Sequence, residues 1–228
     1  MRPIDLILIV SVLVPARVHG QDARDAWDRP ISVVWNVGQS FIGPGSNLVN
    51  QLLRAGYRNR TLCPAHAWVC GGPSQVESAP GGASALTLRY AMTSELAVGA
   101  GISWTELGGG SGYRWREKWE EIRSYWDVST VWAAAFWMPV PELRLGGGPA
   151  LYGLSDEGGR NEVSKLGLIG EYGIEYPSNR RFLLDVAVRL HVVPSEDVVY
   201  RSQLSETDVK LSPNWTHVQV LAGIGVRL

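Results

Sequence analysis

Four residues near the end of the chain have the types needed for ester hydrolysis. They are His191, Ser195, Glu196 and His217. A serine hydroxyl becomes a nucleophile when a histidine takes its proton and a carboxylate orients that histidine. Pro194 and Ser195, however, have the pattern of a strand end, and both histidines fit a buried hydrogen-bond network better. We predict no catalytic residue here.

Two cysteines, Cys63 and Cys70, lie seven positions apart in the sequence. In an exported protein such a pair predicts a local disulfide. A metal site would need more ligands than the nearby His66 supplies. We therefore predict a disulfide, no metal and no cofactor.

A glycine run, Gly108-Gly109-Gly110-Ser111-Gly112, has only a superficial likeness to a phosphate-binding loop. The lysine and the following serine or threonine that would hold phosphate and metal are missing. The run predicts a flexible loop over 107–121. Trp115 and Trp119 in this loop are candidate contacts for a ligand outside the cell.

The elements that would position these residues are strands of period two. In the segment 164–194, two runs of alternating residues flank a tight turn at 177–180. In each run every second residue is mainly apolar, and the residues between them include the charged ones. The same pattern recurs along the chain. The predicted strands span 31–38, 85–92, 95–106, 122–138, 142–155, the two runs within 164–194, and 214–228.

The first 20 residues have the pattern of a secretory signal peptide, with Arg2, an apolar run from Leu6 to Val14, and small or tolerated residues at Val18-His19-Gly20 before a cut. Residues 21–228 would then form one domain. No later stretch has the roughly 20 apolar residues of a membrane-spanning helix. The chain carries 21 Lys and Arg against 22 Asp and Glu. This near neutrality argues against a nucleic-acid partner.

The connections between the predicted strands alternate between three short turns, near residues 93, 140 and 178, and four longer loops. This asymmetry is typical of outer-membrane barrels, as are strands of about 9 to 11 residues. Aromatic residues sort into two candidate interfacial girdles. Tyr90, Phe136, Tyr176 and Phe182 belong to the girdle at the short-turn end, and Trp104, Trp126 and Trp215 to the one at the loop end.

On these features the chain resembles the small eight-stranded outer-membrane barrels of the OmpA and OmpX type. The resemblance implies an all-β, antiparallel up-and-down transmembrane barrel in the outer membrane, with periplasmic termini and extracellular long loops. It also implies contact with outer-membrane lipid and lipopolysaccharide, and with the barrel-assembly machinery. The last strand resembles the recognition strand of that group, although it ends in Leu228 where an aromatic residue is usual.

The charged parity of the strands would point into the barrel, where buried charges must pair. We predict a salt-bridged interior without an open pore, since eight strands leave room only for side chains. The predicted interior network comprises Arg89, Asp127, Arg144, Lys165, Glu171, Glu175, Asp185, Arg189, His191, His217 and Arg227. Seven glycines would make room for bulky neighbours: Gly99, Gly101, Gly146, Gly148, Gly173, Gly223 and Gly225.

The first long connection, of roughly 45 residues, is long enough to suggest function. Ser46 as a cap and Gly56 as a stop predict a short helix there, which would pack on or inside the barrel mouth. The predicted disulfide would pin the rest of this external loop.

Function is less defined than fold. The favoured hypothesis is a structural or surface-interaction barrel that binds an unknown extracellular ligand through its loops. One alternative is narrow or gated transport of ions or small solutes, and a lesser one is hydrolysis of outer-leaflet lipid, as in eight-stranded lipid A deacylases, whose His-x-Ser-Asn run is missing here. A soluble lipocalin-like barrel would need the apolar parity inside, which is too much lining for eight strands to enclose.

Overall fold

The computed structural model describes residues 30–42, 51, 54, 80–115, 119–156, 161–177, 181–201 and 208–228. The predicted signal peptide, Cys63 and Cys70 lie outside these residues. Of the predicted helix, only Gln51 and Arg54 are described, and both have helical conformation. The signal peptide, the disulfide and the extent of the helix stay predictions.

Ten strands are present in the described part of the chain, and eight of them close into one barrel with the order β1-β10-β7-β6-β5-β4-β3-β2. Every neighbouring pair is antiparallel. This confirms the predicted eight-stranded up-and-down barrel. None of the described helical residues belongs to a helix long and apolar enough to cross a membrane. The strands are β1 Ile31–Ile42, β2 Gly81–Ala91, β3 Leu96–Trp115, β4 Trp119–Val140, β5 Leu143–Asp156, β6 Glu162–Tyr176, β7 Phe182–Val192, β8 Val198–Arg201, β9 Asp208–Leu211 and β10 His217–Arg227.

The outer surface of the barrel carries a belt of large apolar side chains. Leu166, Phe182 and Ile224 are 70%, 72% and 63% exposed, while Val34 and Leu221, on the inward parity, are fully buried. Exposure of so much apolar surface to water would be strongly unfavourable, at roughly 25 cal/mol per Å². Such a belt fits the hydrocarbon of a membrane.

The aromatic girdles are only partly as predicted. Four members are exposed on the belt: Tyr90, Trp104, Tyr176 and Phe182. Phe136, Trp126 and Trp215 were wrongly assigned, since they are 1%, 2% and 3% exposed and lie inside. Trp137, which is 51% exposed, occupies the outer surface beside Phe136.

The misassignment on β4 has a simple cause, which is that both faces of the strand are mainly apolar over residues 126–140. Trp126 and Trp132 point inward, whereas Val131 and Trp137 point outward. Asp127 is the only charged residue between 126 and 140, so the alternation does not reveal the inner face there. The prediction that Asp127 belongs to the interior is therefore wrong, because its parity is the exposed one.

The predicted flexible loop 107–121 is also wrong. Strands β3 and β4 occupy 107–115 and 119–121 of it as a two-stranded ribbon, in which Trp115 and Trp119 are the outermost pair among the described residues. The glycine run is accommodated by a register shift between Gly108 and Ser111, since an irregularity of this kind interrupts the ladder locally and does not end it. In the last long loop, β8 and β9 pair as a separate hairpin.

Candidate functional site

The half of the interior next to the short turns is filled by a charge network. We give this name to Arg89, Arg144, Arg189, Arg227, Glu171, Glu175 and Asp185. Arg144 lies at its centre: Nε is 2.5 Å from Glu171 Oε1, and Nη1 is 2.6 Å from Asp185 Oδ1 and 3.3 Å from Glu175 Oε1. One guanidinium thereby connects three carboxylates contributed by β6 and β7.

Glu171 is shared between two arginines. Its second oxygen, Oε2, is 2.5 Å from Nε of Arg189, and both side chains of this pair are 1% exposed. Arg189 also donates to Thr87 Oγ1 at 2.9 Å, and its guanidinium lies 5.0 Å from the ring centroid of Trp132. The network therefore reaches across the interior from β6 to β2 and β4.

The remaining members complete the pairing at the short-turn end. Arg89 pairs with Glu175 and, at 3.3 Å, with Asp185, while Arg227 Nη2 is 2.8 Å from Glu175 Oε2. Asn36 donates to Asp185 Oδ2 at 2.7 Å. Each carboxylate thus has at least two cationic partners, which is the condition under which buried charge is tolerated.

Glycines provide the space for the bulkiest inward groups. A Cβ atom on Gly101 would lie 2.5 Å from the Trp132 ring, and one on Gly173 would collide with the Arg144 guanidinium. The prediction that glycines make room for bulky neighbours is confirmed at these two positions.

The half of the interior next to the long loops has a mainly apolar filling, with a few uncharged polar side chains such as Thr105 and Gln219. Trp126, Tyr152 and Leu154 lie there, each at most 2% exposed. The last loop closes this end with side chains that we call the apolar cap: Val193, Val198, Leu211 and Trp215. Trp126 and Trp215 pack edge to face with ring centroids 5.2 Å apart, so the cap is continuous with the barrel core.

Polar bonds hold the last loop in place. Gln51 donates from Nε2 to the carbonyl of Ser212 at 2.9 Å and accepts from the amide of Ser212 at 2.5 Å. The hydroxyl of Ser212 also bonds to Asp197. The first long loop thus contacts the last one directly above the cap.

Two buried histidines lie between the charge network and the cap. The Tyr152 hydroxyl donates to the carbonyl of Leu168 at 2.9 Å, so the Nδ1 atom of His191, 3.2 Å from that hydroxyl, must be the donor. His217 likewise donates from Nδ1 to the carbonyl of Trp215 at 2.8 Å. The two rings stack in parallel, with centroids 4.4 Å apart and planes 5° from parallel.

This stacked pair is poorly suited to hold a metal. Zinc needs each imidazole nitrogen at about 2.0 to 2.1 Å, with its lone pair aimed at the ion. Parallel rings 4.4 Å apart cannot both aim at one ion. Among the described residues, no group of three or more His, Cys, Asp or Glu side chains could hold a metal ion.

The residues considered for hydrolysis are not assembled into a triad. Ser195 is exposed, whereas His191 and His217 are fully buried with the partners given above. Glu196 pairs with Lys165 at the outer rim. In the described part of the chain, no hydrogen bond joins Ser195 to either histidine.

The interior prediction thus divides into four groups. Seven of the eleven residues form the charge network, and the two histidines lie above it as a stacked pair. Lys165 lies at the rim and Asp127 outside. Sequence reasoning missed Asn36, Thr87 and Tyr152 as interior polar groups, although all three share the inward parity of their strands.

Asp127 lines a groove of about 640 Å³ in the wall of the barrel near the loop end. Outward positions along the groove include Ser84, Glu106, Ser129 and Glu162. Charges are unfavourable in the hydrocarbon region, so these residues mark the upper limit of the apolar belt on this side.

The closed barrel and its dimensions can be compared with known structures. No protein-family model and no curated protein matches the chain. Neisserial surface protein A is similar in structure, with a TM-score of 0.50, 13% identity, and coverage of 87% of this chain and 97% of that one. OprG of Pseudomonas aeruginosa has a TM-score of 0.52, 12% identity, and coverage of 88% and 97%.

This chain has the fold of the small outer-membrane β-barrels. Together with the exposed apolar belt, that fold places the barrel in an outer membrane. At 12% to 13% identity the likeness concerns the fold alone. The charge network and the ribbon are therefore described from the structure of this chain and not from the similar proteins.

Proposed function

We propose that the barrel is a closed structural protein of the outer membrane that makes surface contacts through its external β3–β4 ribbon. The observation that carries this proposal is the continuation of β3 and β4 beyond the rim, to Trp115 and from Trp119. Its termini and short turns lie in the periplasm and its long loops outside. Lipopolysaccharide surrounds the outer half of the belt, and the barrel-assembly machinery inserts the chain.

The interior argues for a closed barrel over a transport path. An ion moving along the axis would have to displace the charge network and then the apolar cap. Displacing only one partner of a buried pair costs about 3–5 kcal/mol. We expect no stable conductance in a planar bilayer under conditions in which a water-filled porin conducts. A large and stable current would contradict the closed interior.

The position of the ribbon can be tested by labelling intact cells. We expect a membrane-impermeant maleimide to react with Glu120→Cys, in the ribbon, without permeabilisation. Ser94→Cys, at a short turn, is the matched control and should react only after the outer membrane is opened. The unmodified chain serves as the blank for Cys63 and Cys70. The reverse labelling pattern would overturn the proposed orientation.

The proposal includes no enzymatic activity. The carboxylate of Glu196 is occupied by Lys165, and both candidate bases are buried away from the exposed Ser195. We expect lipid A to have the same mass in cells that express the wild type and the Ser195→Ala variant. A mass change that depends on Ser195 would restore the hydrolase hypothesis.

A further inference from the structure

The outer edge of β4 has a stretch that its neighbour in the barrel does not cover. Strand β5 pairs with β4 only as far as the pair Trp126 and Asp156. Asp156 is bonded to Asn161, just before β6: its amide donates to the carbonyl of Asn161 at 3.1 Å, and Asn161 donates back to its carboxylate at 2.8 and 3.0 Å. Residues 119–125 therefore have no β-strand partner on this edge among the described residues.

An uncovered edge of seven residues is a template for another strand. Natural proteins usually block such an edge with proline, a bulge or lysine. The edge here reads Trp-Glu-Glu-Ile-Arg-Ser-Tyr, without proline or lysine. The β3–β4 register is regular from Ser111 and Arg123 to the end of the ribbon, and the register shift lies at Ser124 and Tyr125, at the barrel end of this edge.

The sequence of this edge is complementary to itself in one antiparallel register. In a two-fold symmetric antiparallel pair, the side chains of opposed residues lie on the same face of the sheet. The two-fold axis therefore passes midway between one residue and the same residue of the partner copy. Centred on Ile122, Glu121 lies opposite Arg123 twice, and Trp119 lies opposite Tyr125 twice. Opposite charges and aromatic pairs at opposed positions stabilise a ladder.

Other registers are less favourable. A shift of the centre by one residue places Glu121 opposite Glu121 or Arg123 opposite Arg123, and like charges at opposed positions destabilise the pair. In-register parallel pairing would also place each of these residues beside its own copy. The antiparallel arrangement centred on Ile122 is therefore the favoured self-association.

Antiparallel pairing reverses one molecule with respect to the other. Two copies in one membrane point in the same direction, so their β4 edges cannot pair in an antiparallel way. A copy in a second, apposed membrane has the opposite direction. The ribbon continues the wall of the barrel away from the rim, toward such a copy. We propose that residues 119–125 form a homophilic contact between copies of this chain in two apposed outer membranes, paired as antiparallel edge strands centred on Ile122. The inference rests on the proposed function, since it names the partner of the same ribbon.

A charge-swap experiment tests this contact. Two populations of cells, labelled in different colours, express the full-length wild type, Arg123→Glu or Glu121→Arg. Each variant alone opposes like charges, and we expect its aggregates to fall ~10-fold or more below wild type, because many weak contacts act together. A mixture of the two variants opposes Glu to Arg at every swapped position and should restore mixed-colour aggregates.

Glu162→Arg is the matched control, since it makes the same charge change at an exposed position at the outer end of β6, outside residues 119–125. It should aggregate close to the wild-type level. Slower migration after boiling in SDS gels verifies that each variant has folded.

Three results would overturn the homophilic contact: no aggregation of wild-type cells, wild-type aggregation of both single variants, or failure of the mixture to recover. The surface labelling and conductance experiments judge the proposed function separately. A ribbon that labels from outside on a closed barrel, without aggregation, would retain the surface-contact function with a different partner.

Discussion

The two halves of the barrel interior are filled by different means. Next to the short turns, four arginines and three carboxylates occupy the lumen, and each carboxylate is shared. Next to the long loops, tryptophan, tyrosine and leucine side chains pack against the apolar cap. One half depends on ion pairs and the other on close packing.

This difference determines how each half should respond to mutation. Members of a shared ion-pair network depend on one another, because removing one partner leaves a buried charge uncompensated. Packed apolar side chains contribute mainly through the volume that each one fills. We therefore expect strong coupling between substitutions in the charge network and nearly additive effects between the two halves.

The largest effect is expected for Glu171→Ala. Arg144 and Arg189 would both lose a carboxylate at 2.5 Å in a fully enclosed site. The free energy of unfolding should fall by about 3–5 kcal/mol, measured as a lower urea midpoint in lipid vesicles. Glu162→Ala, exposed at the outer end of β6, is the control and should change it by less than about 0.5 kcal/mol. Equal midpoints for Glu171→Ala and wild type would show that the network does not stabilise this half.

Trp126→Ala makes the corresponding test in the apolar half. Loss of the ring that packs on Trp215 should cost about 3 kcal/mol, by the same urea measurement. Combined with Glu171→Ala, the effects should add to within about 0.5 kcal/mol, whereas Arg144→Ala with Glu171→Ala should deviate from additivity by about 1 kcal/mol or more. Equal coupling in both combinations would contradict the division into two halves.

The charged half could be predicted from sequence because its strands alternate clearly. On β7, Asp185 and Arg189 alternate with large apolar residues, so the inward parity is marked by charge. Once a barrel is assumed, such residues must meet inside, and seven of them do.

The apolar half could not be predicted in this way. Residues 126–140 of β4 are mainly apolar on both parities, so Trp126 and Phe136 could be placed on either face, and Asp127, the one charge in this part, was misleading. The ribbon was missed for a related reason, since a glycine run predicts flexibility when no partner strand is known. Only the register with β3 shows that it continues the ladder.

The comparison can be sharpened with glycines at the boundary between the two halves. Gly101→Val should cost about 1–3 kcal/mol, because its Cβ would lie 2.5 Å from the Trp132 ring. Gly170→Val is the control, since the nearest atom to its Cβ is 4.0 Å away. Adding Trp132→Leu should recover part of the loss at Gly101, as judged by urea midpoints. If Trp132→Leu did not raise the urea midpoint of Gly101→Val, contact with the Trp132 ring would not be the source of the strain.

The smallest effect is expected for Lys165→Met, although Lys165 has the same inward parity as the network. Its ammonium group bonds only to Glu196 in the described part of the chain, and their side chains are 26% and 43% exposed. A pair that solvent reaches contributes about 1 kcal/mol or less. Arg189→Met, by contrast, removes a partner of the enclosed Glu171 and should cost about 3 kcal/mol. Both variants remove one positive charge. Equal urea midpoints would therefore show that burial does not make the ion pairs of the network more stabilising than the pair at the rim.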